Sequence, residues 1–228
     1  MGEDTEGSGR SGVSMFKNRT EAGRRLAPLL EEYRDERPLV LGLPRGGVPV
    51  AAEVAQALGA SLDVLVAQKI GAPGHEEYAI GAIAESGAEV RDEIALAQSG
   101  VTEHGWEVQR AKAAQKLEEY VEKFHQGRRL PPMQGRTVVL VDDGLATGRS
   151  ALAALRALKS MGAEKIVLAV PVSSVAGKNR IEGEGQAQVV ALEVPDGFYA
   201  IGQFYADFHP VSSDKVEELL SRFRTPED

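Results

Sequence analysis

The sequence predicts an α/β fold: a doubly wound, mostly parallel sheet in three layers, with helices covering both faces. Two observations predict it. Short aliphatic runs of strand length alternate with longer segments of helical periodicity, which is the order that parallel strands joined by right-handed crossovers require. Several runs, such as "VVLV" before Asp142, are apolar at every position, as strands covered on both faces are.

The first half of the chain supplies two predicted strands and two helices. Residues about 20–34 have leucine and alanine at helical spacing. "PLVLGLP" (Pro38–Pro44) is predicted as a buried strand, and "VPVAAEVAQALG" after it as a helix that Gly59 can end. Leu62–Ile70 is predicted as the second strand, and the glycine-rich segment 71–90 as a loop and a hairpin.

The second half repeats this alternation. A charged amphipathic helix is predicted over residues about 102–126. The elements after it are three strands, "TVVLVDDG", "KIVLAVPVSS" and "AQVVALEVP", and two helices, "RSALAALRALKSMG" and "SDKVEELLSRF". In sheets of this kind ligands bind beyond the carboxyl ends of the strands. The turns after Leu43, Ile70 and Val141 are therefore the candidate site.

Composition limits the domain organisation. A chain of 228 residues with 43% hydrophobic residues fits one sizeable core. Residues 1–14 are acidic and rich in Gly and Ser, so we expect a disordered tail there and one domain over residues 15–228. The absence of cysteine excludes disulfides and a thiol nucleophile.

Charge and hydropathy indicate the compartment and the partners. The sequence contains no apolar run near the ~20 residues that span a bilayer, so we expect no membrane partner. A net charge of −8 disfavours a nonspecific nucleic-acid binder. We expect a cytoplasmic protein.

The stretch "VVLVDDGLATGRS" combines a phosphate loop with two acids. Glycines and hydroxyl side chains at the start of a helix are suited to hold an anion, because backbone N–H groups and the helix dipole point at it. The loop consists of Gly144, Leu145, Ala146, Thr147, Gly148, Arg149 and Ser150. It differs from a P-loop, since the required lysine is missing.

Asp142 and Asp143 lie directly before this loop. Two neighbouring carboxylates repel a phosphate, but they suit a vicinal diol or a magnesium ion. A phosphate cradle beside a group that binds a diol describes a site for ribose 5-phosphate. The plain alternative, a solubilising strand end with a helix cap, explains neither the doubled acid nor the two glycines.

The turn after the first predicted strand offers a second anion site. Arg45, Gly46 and Gly47 supply a cation and two unencumbered backbone amides at a helix N-terminus. The alternative is a helix entry with Arg45 in solvent.

These residues resemble a known family. "VVLVDDGLATGRS" is similar to the phosphoribosyl-diphosphate (PRPP) signature of the type I phosphoribosyltransferases. The segments "FKNRTEAGRRLA", "QKIGAPGHEEYAIGAIAESG" and "GQFYADFHPVSSDKV" resemble an uncharacterised bacterial branch of that family, and the resemblance spans nearly all of residues 16–223.

The resemblance implies roles for the candidate residues. Asp142 and Asp143 would bind the ribose hydroxyls, and the loop from Gly144 to Ser150 the 5-phosphate. The Arg45-Gly46-Gly47 turn, which in this family often contains a non-proline cis peptide, would bind pyrophosphate. Lys69, at the end of the second predicted strand, would neutralise the leaving pyrophosphate, and the glycine-rich hairpin after it would form a lid.

The implied activity is transfer of the 5-phosphoribosyl group of Mg-PRPP to a nitrogen acceptor, with a nucleobase as the expected class. Magnesium would be held mainly by PRPP and water, with Asp142 or Asp143 as the candidate protein ligand and no cage made by protein alone. The family often forms homodimers. Two alternatives stay open: a non-catalytic PRPP-binding regulator, and another magnesium-dependent enzyme acting on a phosphorylated ribose.

Two further points concern residues near the expected site. Gln68 stands where we expect an arginine before Lys69, and catalysis is weaker if that arginine normally contacts pyrophosphate. The aromatic residues near the C-terminus are expected mainly to pack, although one of them could stack on a base; they are Phe198, Tyr199, Phe204, Tyr205 and Phe208.

Overall fold

The computed structural model of the chain describes residues 15–185 and 187–223. The predicted tail over residues 1–14 lies outside the described residues. The main element is a five-stranded parallel sheet in the order β2-β1-β6-β7-β8. Its strands are β1 (Leu39–Gly42), β2 (Ser61–Val64), β6 (Thr137–Val141), β7 (Lys165–Val172) and β8 (Gln188–Glu193).

The strand order reverses between β1 and β6. From β1 the chain first adds β2 on one side, and later adds β6 on the other, so that Leu39 pairs with both Ser61 and Val138. The carboxyl ends of β1 and β6, at Gly42 and Val141, are neighbours in the sheet. This is the topological switch point, where sheets of this class bind their ligands.

Helices cover both faces of the parallel sheet, which confirms the predicted three-layer α/β fold. Along β6, Val139 and Val141 pack into the cluster on one face, whereas Val138 and Leu140 pack into the cluster on the other. This alternation is why every position of the strand is apolar. The helices are α1 (Arg19–Leu26), α2 (Gly47–Leu58), α3 (Glu93–Ser99), α4 (Glu103–His125), α5 (Arg149–Ser160), α6 (Val175–Gly183) and α7 (Ser213–Ser221).

A second, antiparallel sheet lies between α4 and α5. It contains β3 (Ala67–Ala72), β4 (His75–Ala84) and β5 (Glu89–Arg91), with β4 in the middle and β3 at one edge. Gly81 in β4 is packed against the indole of Trp106, since a Cβ at this position would lie 2.6 Å from the ring. This sheet confirms the predicted hairpin.

The prediction of one strand over Leu62–Ile70 was wrong. The chain leaves the parallel sheet after Val64 and enters the antiparallel sheet at Ala67. Between them, the Leu65 N–H donates to Gly42 O (3.1 Å) and the Val66 N–H to the Glu85 carboxylate (2.8 Å). Both joining residues are apolar and fully buried. The sequence is therefore apolar on both sides of the break, and its pattern does not show where one strand ends and the next begins.

The remaining differences are small. The predicted helix at residues 20–34 ends as an α-helix at Leu26 and continues as a 3-10 helix over Ala27–Glu36, in whose first turn Pro28 lacks an N–H donor. Helices α3 and α6 and the 3-10 turn Ile201–Phe204 were not predicted. In the part of the chain that the structure describes, no helix is both long and apolar enough to cross a bilayer.

Candidate ribose-phosphate site

The loop between β6 and α5 is held by its backbone against the next strand. The Leu145 N–H donates to Val172 O (2.8 Å), and Leu145 O accepts from the Ser174 N–H (2.8 Å). Gly148 adopts a left-handed backbone (φ 76°) immediately before α5 begins at Arg149. Glycine adopts this conformation without steric penalty, so the loop can turn directly into the N-terminus of α5.

That cavity has a volume of about 550 Å³ and brings many of the predicted residues together. Its walls include Lys69, Asp142 and the whole loop from Gly144 to Ser150, as the sequence analysis expected of one ligand site. Four residues that were not predicted also line it: Tyr78 and Ala79 from β4, Ala151 from α5, and Ile201 from the C-terminal 3-10 turn. Ile201 covers Gly144, where a Cβ would lie 2.6 Å from its side chain.

The two adjacent acids have different surroundings. Asp142 is partly buried, lines the cavity and accepts a hydrogen bond from the Asp143 N–H through Oδ1 (2.8 Å). Asp143 is 7% exposed, and its Oδ2 accepts from Arg19 Nε at 2.7 Å. The charge of Asp143 is therefore neutralised inside the protein, and Asp142 is the carboxylate of the pair that lines the cavity.

This difference sets the protonation of the pair. Burial raises the pKa of Asp142 well above its ordinary value, and the negative charge of Asp143 raises it further. Burial also raises the pKa of Asp143, but the guanidinium of Arg19 opposes that shift. As the pH falls, Asp142 takes up a proton first and Asp143 keeps its charge beside Arg19.

Arg19 and Tyr205 support this pair, and sequence reasoning missed both. The Arg19 guanidinium lies 3.9 Å from the centre of the Phe208 ring and donates to His209 O (3.0 Å). The Tyr205 hydroxyl donates to Asp143 O at 2.6 Å, and burial raises the pKa of Tyr205, which keeps it a donor. No local pattern marks these residues, because Arg19 lies 124 positions before Asp143.

The turn after β1 lies directly against the acids. The peptide bond between Pro44 and Arg45 is cis, as the resemblance implied. A Cβ on Gly46 would lie 2.1 Å from Asp143 Oδ2, and one on Gly47 would lie 2.5 Å from Val141 O. Only glycine fits at these two positions, so the two predicted anion-binding turns touch each other.

Arg45 and Arg149 differ in their availability to an anion. Among the described residues, no hydrogen bond or ion pair engages the Arg45 guanidinium. Arg149 Nε donates to Asp92 Oδ2 at 2.8 Å, and Arg180 lies 3.3 Å from the same oxygen. Arg149 therefore offers its backbone N–H to the cavity while its side chain joins the loop to Asp92, the residue that caps α3.

Lys69 and Gln68 do not lie where the sequence analysis put them. Lys69 was expected at the carboxyl end of a parallel strand, but it lies in the antiparallel edge strand β3 and reaches the cavity from the side. Gln68 is absent from the walls of this cavity; it lines a smaller cavity on the α4 side of β3. The missing arginine therefore does not leave a gap beside Asp142.

The aromatic residues near the C-terminus mostly pack, as predicted. Phe204 and Tyr205 are buried, Phe198 contacts Phe204, and Phe208 stacks on Tyr205. Tyr199 is 91% exposed and lies two positions before Ile201 of the cavity wall. Of this group, Tyr199 alone is left in solvent.

A doubly wound sheet with a phosphate loop and paired acids at its switch point defines a class of proteins that bind phosphorylated ribose. The sequence pattern of the phosphoribosyl transferase domain matches residues 13–209. The chain belongs to the phosphoribosyl transferase family, and the resemblance stated from its motifs is confirmed.

Individual relatives agree with this membership. A protein of Mycobacterium tuberculosis (strain H37Rv), provisionally named a phosphoribosyl transferase, is 41% identical over 210 residues, which cover 92% of this chain and 47% of the relative. The chain thus spans about half the length of the curated relatives that it matches. The crystal structure of TT1426 from Thermus thermophilus is 42% identical, has a TM-score of 0.77, and covers 92% of this chain and 100% of that one.

A more distant structure shares the fold alone. The AQ2163 protein from Aquifex aeolicus is 15% identical and has a TM-score of 0.52, with coverage of 89% of this chain and 84% of that chain. The doubly wound architecture is therefore kept where most side chains differ.

Proposed function

We propose that this chain transfers the 5-phosphoribosyl group of PRPP to a nitrogen atom of a nucleobase-like acceptor and releases pyrophosphate. One observation carries the proposal: Asp142, Lys69 and the loop from Gly144 to Ser150 line a single cavity of about 550 Å³. It supplies a phosphate cradle, a carboxylate for the ribose diol and a cation for the leaving group.

The loop and the acids fix the donor. The backbone N–H groups of the loop from Gly144 to Ser150, other than that of Leu145, which donates to Val172 O, would bind the 5-phosphate at the start of α5. Asp142 would accept hydrogen bonds from the ribose hydroxyls. Asp143 would act through Asp142 and the backbone, because its own carboxylate is bound to Arg19. Fixing both ends of the ribose presents its anomeric carbon in one orientation.

The cations stabilise the leaving group. The acceptor nitrogen would attack the anomeric carbon while the bond from this carbon to the pyrophosphate oxygen breaks, and the electron pair leaves with pyrophosphate. Arg45, Lys69 and the amides of Gly46 and Gly47 would receive that charge. Such placed donors lower the barrier because they need no rearrangement as the charge develops.

Magnesium fits the site as a partner of the substrate. In the described part of the chain, no three His, Asp or Glu side chains gather as a metal cage. Asp142 is the carboxylate in the cavity wall, and Mg²⁺ prefers oxygen ligands while keeping several waters. Bound with PRPP, the ion would neutralise pyrophosphate charge, with Asp142 as its protein ligand.

The acceptor side of the cavity faces the C-terminal segment. Ile201 lines the cavity, and the exposed ring of Tyr199 lies nearby along the chain. We assign the acceptor to this side, where an apolar side chain and a ring suit a flat heterocycle. The cytoplasmic location, the homodimer and the closing of the hairpin as a lid stay predictions.

Calorimetric titration of PRPP with Mg²⁺ tests the proposal. We expect micromolar-range binding to the wild type, weakened at least tenfold (about 1.4 kcal/mol) in the Asp142→Asn/Asp143→Asn variant. The variant Asp35→Asn/Asp196→Asn makes the same charge change at two exposed positions and should bind as the wild type does.

Product measurement separates catalysis from sensing. Release of pyrophosphate that depends on an added base supports the transferase, whereas PRPP binding without release under any base supports the regulator. A wild type that prefers ribose 5-phosphate or a nucleotide over PRPP supports the other magnesium-dependent enzyme. If the protein binds none of these ligands, the proposal is wrong.

A further inference from the structure

A second polar cavity lies on the opposite side of the edge strand β3, between this strand and α4. Its volume is about 270 Å³. Both β3 and β4 contribute to its walls, as does one face of α4. The wall residues are Gln68, Lys69, Gly71, Glu76, Gln109, Lys112, Ala113 and Lys116.

The walls carry more positive than negative charge. Three of the described wall residues are lysines and one, Glu76, is an acid. Lys112 and Lys116 lie four positions apart on α4, where like charges disfavour a helix. Neither ammonium has an ion-pair partner among the described residues, whereas Arg110 of the same helix pairs with Glu89 at 2.6 Å. Two exposed lysines are thus held together without an acid between them.

Gln109 provides an independent observation. Its side chain is 9% exposed and lines the cavity. Within residues 15–185 and 187–223, no hydrogen bond to its amide group is found. The amide is open to the cavity rather than sealed inside the protein, because in the described part of the chain the buried side-chain polar atom without a partner is Arg128 Nη2 and not an atom of Gln109. The Gln109 amide can therefore donate to a ligand that enters the cavity.

We propose that this cavity is a second anion site, which binds a diphosphate group through Lys69, Lys112, Lys116 and the amide of Gln109. Ammonium groups and an amide N–H donate to phosphate oxygens. The cavity is about half the volume of the PRPP cavity, which suits a phosphate moiety better than a whole nucleotide. An attached nucleoside would extend into solvent through the open side.

Lys69 connects this site to the PRPP cavity, because its side chain lines both. A diphosphate in the α4 site would hold Lys69 on that side of the strand. By linkage, each ligand would then weaken the other by the same factor. The existence of the site is independent of the proposed function, but this coupling rests on it.

Titration of pyrophosphate into four proteins at low ionic strength tests the site. The wild type should show two binding sites. Lys112→Gln/Lys116→Gln should weaken one of them at least tenfold, and Gly47→Ala, in the turn packed against Asp142 of the other cavity, should weaken the second. Lys123→Gln/Lys159→Gln removes two exposed lysines that lie outside both cavities and should leave both sites unchanged.

Gln109→Leu gives a second test, since it removes the amide at nearly constant volume. We expect weaker pyrophosphate binding at the α4 site together with an unchanged or higher melting temperature. A parallel titration with ADP identifies the source of the diphosphate: equal affinity indicates the inorganic ion, and tighter binding indicates a nucleoside diphosphate.

The site does not exist if the Lys112→Gln/Lys116→Gln variant keeps both pyrophosphate sites, or if the control variant weakens binding equally. Failure of the proposed transferase would look different. In that case PRPP binding would not depend on Asp142 and Asp143, while the α4 site would still respond to its own lysine variant.

Discussion

The two sheets meet the ribose-phosphate cavity in different ways. The parallel sheet presents strand ends: β1 and β6 are fully buried, and the turns after them are locked by backbone hydrogen bonds and by glycines in contact. The antiparallel sheet presents the side of an edge strand, from which exposed Lys69 extends. The residues that we propose to bind phosphate and ribose are thus fixed before a ligand arrives, whereas Lys69 is exposed and burial does not fix its side chain.

Because of this difference, we expect the two sheets to contribute differently to ligand binding. A site that is rigid beforehand spends little free energy on ordering when it binds, so we expect the parallel sheet to supply most of the affinity. Lys69 is exposed on the edge strand and lines two cavities. We expect substitutions at the strand ends to abolish binding, and substitutions in or beside the antiparallel sheet to modulate it.

The largest effect is expected from Gly47→Ala. The new Cβ would lie 2.5 Å from Val141 O and 2.9 Å from Asp142 Cα. Both are backbone atoms, which cannot move away by a rotamer change as a side chain can. We expect the free energy of unfolding to fall by about 1–3 kcal/mol and PRPP affinity to fall at least tenfold. Urea unfolding and calorimetry measure the two.

Gly183→Ala is the matched control, since a Cβ there meets nothing within 4 Å and the residue is the last of α6. It should leave stability and binding unchanged, or stabilise slightly. If Gly47→Ala binds PRPP like the wild type, close contact between the two turns is not required.

A smaller effect is expected from Asp92→Asn, at the junction of the two sheets. Asparagine keeps the α3 cap but loses the charge that holds Arg149 and Arg180. We expect a loss of about 1–3 kcal/mol and faster hydrogen exchange in β5 and α3, with weaker but measurable PRPP binding. Hydrogen-exchange rates that change equally in both sheets would contradict the expected difference between the parallel and the antiparallel sheet.

The pH dependence of this effect has a definite sign. Burial raises the pKa of Asp92, but the Ala95 N–H and the nearby Arg149 and Arg180 lower it more, to below its ordinary value of 3.8. Its contribution to stability is present above that value and is lost as the pH falls through the lowered pKa. Wild type and Asp92→Asn should therefore differ at pH 7 and converge in strong acid.

The smallest effect, with the opposite sign, is expected from Asp142→Asn. The pKa of Asp142 is raised, so the folded protein binds more protons than the unfolded chain and loses stability as the pH rises above 3.8. The variant should melt higher than the wild type at pH 7, by roughly 2–4 °C for each kcal/mol gained, and equally at pH 3. A lower melting temperature at pH 7 would show that the charge stabilises the fold.

The sequence predicted the parallel sheet and its site for a physical reason. Buried strands need aliphatic residues throughout, and the phosphate loop after β6 needs glycines at fixed positions, so both leave local patterns. The break at Leu65 and Val66 left none, because both residues are buried in whichever sheet they join. Arg19 and Tyr205 reach Asp143 only through tertiary contacts, and no spacing along the chain indicates them.

The ion pair between Arg19 and Asp143 also has a consequence for the order in which the site forms during synthesis. The Arg19 guanidinium also donates to His209 O, which lies 190 positions further along the chain. At a synthesis rate of 5–20 residues per second, that interval is roughly 10–40 s. During that interval the loop from Gly144 to Ser150 can already have been synthesised, while the segment around His209, which contacts Arg19, has not. The contacts around the carboxylate pair are therefore complete only after residue 209 has been synthesised.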